Sequence, residues 1–190
     1  MTDRKFEELL IEICAPTLCG LKPANLFRIC PPDAADLRRE TAALDRQLKP
    51  LGLALRILKE CPKTGAFLIY VYRERWLTRI LGTDPVRAFL KYAGYDWQGG
   101  TEPLLLQLSA RLCLERDFPH EIGVFLGYPL EDVLGFIRNR GANYTCCGYW
   151  KAYGDPVRAQ RRFASYRICT EVCLEKYRQG TPVIRLVAAA

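Results

Sequence analysis

Leu53-Ala54-Leu55-Arg56-Ile57-Leu58-Lys59, Cys61-Pro62-Lys63-Thr64-Gly65 and Ala66-Phe67-Leu68-Ile69-Tyr70-Val71-Tyr72 follow one another almost without interruption. The first run alternates apolar and basic residues over much of its length, the pattern of a strand with one covered face. The last is continuously apolar, rich in β-branched and aromatic side chains, which suits a strand. The five residues between them, with Pro62 and Gly65, are the size of a hairpin loop. Residues 53–72 therefore predict two paired antiparallel strands.

Helices are expected on both sides of this hairpin. Phe6, Leu9, Leu10 and Ile13 recur at helical spacing, so 4–14 predicts an amphipathic helix. Pro16, Gly20 and Pro23 then make Cys14–Cys30 a structured connection rather than a regular element. Asp33 is placed to cap a helix over 34–48, ahead of Pro50 and Gly52. Beyond the hairpin, short helices are expected at 75–81 and 85–93, the second with Asp84 as cap and Pro85 in its first turn. A longer helix runs from Thr101 to about Arg116. Asp117–Glu121 breaks the pattern. Another helix starts at Pro129 and is closed by Gly141. Tyr149–Tyr153 predicts a short aromatic strand, Asp155-Pro156 opens a long helix over 156–179, and Pro182–Val187 predicts a last strand. The fold class is α+β (mixed α/β): a single domain with a small sheet of about four strands covered by helices.

Composition narrows the function classes. Of 190 residues, 49% are apolar and 26% charged, the balance of a chain that folds around a core. No apolar run approaches the roughly 20 residues of a membrane span, and the first residues lack a signal-peptide pattern, so a cytoplasmic location is expected. Nine cysteines fit that compartment as reduced thiols. The net charge of +7 permits nucleic acid or an anionic ligand as partner without selecting either.

Chemistry concentrates in 118–154. His120, the one histidine, stands at an expected helix start, where it could transfer a proton, bind a metal or simply cap the helix. Cys14 follows the first helix and, activated by an imidazole, would be a nucleophile, with Glu121 or Asn143 orienting His120. Set against this, a buried cysteine at a helix C-terminus is disfavoured as a thiolate. Cys14 and Cys19, Cys146 and Cys147, and Cys169 and Cys173 are possible thiolate donors. None has Cys-x-x-Cys spacing, and no metal is assigned. Cys169 and Cys173 share a helix face, as two core residues also would.

Tyr144, Tyr149, Trp150 and Tyr153 offer flat faces, with Arg138, Arg140, Asn143 and Lys151 among them and Lys22 and Asn25 in the earlier connection. This mixture suits a planar or anionic ligand of nucleotide, flavin or haem type, or single-stranded nucleic acid. It equally suits a core strand with a solvated basic rim. The phosphate-binding loops Gly-x-Gly-x-x-Gly and Gly-x-x-x-x-Gly-Lys-Ser/Thr are absent. Arg158, Arg161, Arg162 and Arg167 make the first half of the last helix basic, a solvated face or a nucleic-acid groove.

Three blocks carry a family resemblance: Cys14-Ala-Pro-Thr-Leu-Cys-Gly-Leu-Lys-Pro-Ala-Asn-Leu-Phe27, Phe118-Pro-His-Glu-Ile-Gly-Val-Phe-Leu-Gly-Tyr-Pro-Leu-Glu-Asp-Val-Leu-Gly-Phe-Ile137, and Gly141-Ala-Asn-Tyr-Thr-Cys-Cys-Gly-Tyr-Trp-Lys-Ala-Tyr-Gly-Asp155. Nearly the whole chain resembles a bacterial family of uncharacterised proteins catalogued as domain of unknown function 3793. The resemblance implies no activity, cofactor or catalytic residue. It marks the blocks that hold Cys14, Lys22, Asn25, His120, Glu121, Asn143, Tyr144, Trp150 and Lys151. From the residues, the leading expectation is a ligand-binding protein whose pocket joins 118–154 to 14–27. A thiol enzyme using Cys14 and His120 and a basic interaction module are the alternatives.

Overall fold

The expected hairpin forms the middle of the protein. In the computed structural model, which describes residues 4–97, 99–114 and 118–188, strand β2 (Leu53–Glu60) pairs antiparallel with β3 (Phe67–Arg73), with a register shift between Ile57 and Lys59. β3 is continuously apolar because it is central and covered on both faces. Phe67, Ile69 and Val71 join one core cluster, and Tyr70 and Tyr72 the other.

Its other neighbour is a strand the sequence hid. β1 (Ala24–Ile29) lies in the segment expected to be an irregular connection, and it pairs antiparallel from Ala24 opposite Tyr72 to Ile29 opposite Phe67. Among the described residues the sheet order is β1-β3-β2. Pro23 stands just before the strand, where a missing N–H costs no ladder bond. Ala24 and Leu26 face one cluster, while Phe27 and Ile29 face the other.

Helices cover both faces. On one lie α1 (Arg4–Leu18), α2 (Ala34–Leu48) and the C-terminal half of α8 (Pro156–Arg178). On the other are α3 (Glu74–Leu81), α4 (Asp84–Tyr92), α5 (Thr101–Leu114), α6 (Ile122–Phe125) and α7 (Leu130–Asn139). α1 outlasts its expected end and carries Pro16 in its last turns. Phe6, Leu10, Cys14 and Leu18 form a fully buried seam, and packing that seam outweighs the lost backbone bond. Asp33 caps α2 as expected, accepting from Ala35 N at 2.6 Å and Asp36 N at 3.2 Å, and Asp155 caps α8 in the same way. Thr83, one residue before Asp84, holds the cap position of α4. Residues 115–117, the expected end of α5, lie outside the described residues.

Two expected strands take other forms. Near 149–153 only Lys151–Ala152 (β5) is extended; it pairs with Cys146–Cys147 (β4) as a separate ribbon. The last expected strand is a 3-10 turn, Val183–Leu186, whose two ends are both buried. Side chains at i and i+3 eclipse in such a turn, so it buries both where a strand would send them to opposite faces. Among the described residues no helix is long and apolar enough to cross a membrane.

Candidate functional site

The turn before α7 is built on a glycine. Gly127 has φ +73, and a Cβ there would lie 1.9 Å from Pro23 Cγ. Only glycine lets this loop touch the start of β1. The contact fixes Tyr128, whose ring receives the Lys22 ammonium 5.1 Å from its centroid on one side. The same ring stacks on Trp150, with centroids 5.0 Å apart.

Trp150 is held by a carboxylate that sequence reasoning did not single out. Asp132, in the first turn of α7 and buried, accepts from Trp150 Nε1 at 2.7 Å, Tyr153 N at 2.6 Å and Gly154 N at 3.1 Å. An acidic residue in a first turn is ordinary in sequence, so nothing distinguished it. Phe163 of α8 closes the far side, edge-on to Trp150 at 4.5 Å. Gly148 is needed there, since a Cβ would meet Phe163 Cδ2 at 2.4 Å.

Between α6, α7 and the ribbon lies a cavity of 380 Å³. Its walls are Ile122, Leu126, Val133 and Phe136, and Tyr128 and Trp150 form its aromatic end. His120, Cys147 and Lys151 supply polar groups beside open solvent. The His120 ring stands edge-on to Phe136 at 5.0 Å. Lys151 Nζ donates to Gly141 O at 2.7 Å, which satisfies a carbonyl beyond the end of α7 and leaves the ammonium 5.1 Å from the Tyr144 ring centroid.

The other expected site residues are dispersed. Asn25 Oδ1 accepts from Thr17 Oγ1 at 2.7 Å inside the protein. Arg138 and Asn143 are exposed, the latter with φ +58. Tyr149 packs against Phe163 and Tyr166 of α8. Tyr153 Oη donates to Ala142 O at 2.9 Å. The segment 14–27 meets Tyr128 through Lys22 and Gly127 through Pro23, and does not line the cavity.

Cys14 is fully buried between α1 and the sheet, and its burial pushes the thiol far up, only partly offset by the Lys22 charge. Burial likewise pulls Lys22 down to about 8. His120 is exposed at the head of α6, whose residues pack on the opposite sheet face. Glu121 does not orient it: its carboxylate accepts from Arg111 Nη1 at 3.1 Å and from Tyr95 Oη at 3.2 Å. A protonated, enclosed thiol is the opposite of an activated nucleophile.

A sequence model of the family described as Protein of unknown function (DUF3793) matches residues 10–187. No curated protein and no solved structure matches the chain.

Proposed function

We propose, for a chain that belongs to the DUF3793 family, that it binds a planar heteroaromatic ligand in the cavity between α6, α7 and the β4–β5 ribbon. The observation that carries this is an apolar cavity of 380 Å³ with a stacked tyrosine–tryptophan pair at one end. Ligand sites commonly span about 300–1,000 Å³ and combine apolar walls with a few polar groups. This volume, near the lower bound, favours a ring system of nucleobase or isoalloxazine size over a tetrapyrrole. Phe136, Tyr128 and Trp150 would supply ring contacts worth about 0.5–1.5 kcal/mol each beyond area burial. Lys151 and His120 are the groups that would meet a polar or anionic substituent.

The test titrates the purified protein with flavin mononucleotide, adenosine monophosphate and haemin, following tryptophan fluorescence and calorimetry. Flavin mononucleotide is expected to bind best. Phe136→Ala and a cavity-filling Val133→Trp should each weaken it at least about tenfold, the effect of some 1.4 kcal/mol. Tyr92→Ala, at a 92% exposed side chain on α4, should leave it unchanged. Absence of binding by all three probes, or binding indifferent to both cavity variants, would sink the proposal.

A further inference from the structure

α1 ends at Leu18, and the next residue, Cys19, faces the C-terminal half of α8. There Cys169 and Cys173, four apart, project from one helix face. The three Sγ atoms all lie within 4.8 Å of one another, and Cys19 Sγ is 3.1 Å from Cys173 Sγ. Cys173 is buried, while Cys19 and Cys169 are half-buried, which leaves a way in from solvent. Cys19 stands 150 positions before Cys169, and the packing of the end of α1 on α8 is what brings the three thiols together.

We propose that Cys19, Cys169 and Cys173 form a three-thiolate site for a thiophilic d10 metal ion, Zn2+ or Cu+. Thiolate ligands select these ions. With Zn–S near 2.3 Å and tetrahedral angles, thiolate sulfurs stand about 3.8 Å apart. Separations of 3.1 Å for Cys19–Cys173 and no more than 4.8 Å for the other pairs are close to that spacing, and the Cys19–Cys173 pair would open by about 0.7 Å to meet it. Zn2+ leaves a fourth position for water or a small thiol, as in open zinc sites. Cu+ is satisfied by three sulfurs in a plane.

The surrounding charges suit an anionic centre. Three thiolates on Zn2+ leave one net negative charge, and on Cu+ two. The end of a helix would oppose this with its own carbonyls. Two of those carbonyls are taken up by buried Arg73, which donates to Thr17 O at 2.8 Å and Leu18 O at 2.7 Å and also reaches Ala188 O at 3.1 Å. Arg73 and Lys176 also place positive charge near Cys19. Binding releases the thiol protons to solvent, so affinity rises with pH. The three donors join α1 to α8 beside the 3-10 turn, with Leu186 O 3.5 Å from Cys19 Sγ.

The experiment starts from full-length protein reduced and stripped of metal under nitrogen. Co2+ is expected to bind once per chain, with the near-ultraviolet thiolate charge-transfer band and visible bands of a tetrahedral site, and Zn2+ should displace it. A parallel arm measures Cu+ by competition with bathocuproine disulfonate, and the ion that co-purifies with protein isolated without chelator identifies the occupant. Cys19→Ser and Cys169→Ser should each weaken binding about 100-fold or more, beyond the loss typical of outer-shell changes. Cys30→Ser, at an exposed thiol, should not. Should Cys173→Ser fail to fold, the wild type still decides: metal should protect Cys19, Cys169 and Cys173 from iodoacetamide while Cys30 is alkylated. No stoichiometric metal in either arm, binding that survives both half-buried variants, or a Cys19–Cys173 disulfide in freshly isolated protein overturns the proposal. None of these outcomes touches the ligand cavity, which uses different residues.

Discussion

Lys22 is a cation placed where the chain would prefer a methylene. It is 2% exposed, and burial lowers its proton affinity from the ordinary 10.5 to about 8. Between those values the unfolded chain holds the proton and the folded chain does not, so this group's contribution to stability improves as pH rises. The cost is full below about pH 8 and absent above about 10.5, and amounts to about 3 kcal/mol. Lys22→Met is therefore expected to unfold at higher urea than wild type at pH 7, with that advantage shrinking towards pH 10.5. Comparing the two proteins at each pH reduces the opposing effect of Cys14, whose thiol is raised, to its coupling with the Lys22 charge. An advantage constant across the range would mean that Lys22 keeps its proton. In the sequence Lys22 stood only as a candidate ligand-binding cation of the connection before Cys30. Its burial was not legible, because it depends on Tyr128, more than a hundred positions away.

At the scale of elements, the β4–β5 ribbon has little of its own to hold it. It is two residues long on each strand, and such ribbons are marginal alone. Asp132 anchors it to α7 through Trp150, Tyr153 and Gly154. Asp132→Ala leaves three donors without their acceptor, so a loss of about 3 kcal/mol is expected in chemical unfolding. Near-ultraviolet circular dichroism should change as Trp150 is released. A loss below about 1 kcal/mol with the tryptophan signal intact would show that other contacts hold the ribbon. α8 is the other tie: Ala159 and Tyr166 pack under Trp150, while Cys173 and Tyr177 reach the core beneath α1. Its basic first half was plain in sequence. Its two packing faces were not, because they change from one partner to another along the helix and blur the period.

Across the whole molecule, the sheet separates two cores, and Tyr70 bridges from the sheet to the helices on one face. It is fully buried in the central strand, stacks on Tyr72 and donates to Phe125 O of α6 at 2.5 Å. Tyr70→Phe keeps the ring and loses this bond, so a cost of about 1 kcal/mol is expected in urea unfolding. Tyr70→Ala adds a cavity and should cost about 4 kcal/mol. Equal, small effects of both would show that the layer tolerates a gap there. The mixed fold, the central hairpin and the helix caps at Asp33 and Asp155 were determined by the sequence itself. Periodicity, turn residues and capping are local, and each is written within a few neighbours. The same holds for 118–154 as the segment around the cavity, because aromatic and glycine content there is locally dense. Only the tertiary structure decided that Ala24–Ile29 is a strand, that Pro182–Val187 is not, that Cys14 is enclosed, and that Cys19 meets Cys169 and Cys173. A strand edge, a burial and a three-body cluster each depend on partners far along the chain, and pairing over that distance is set by packing rather than by local propensity.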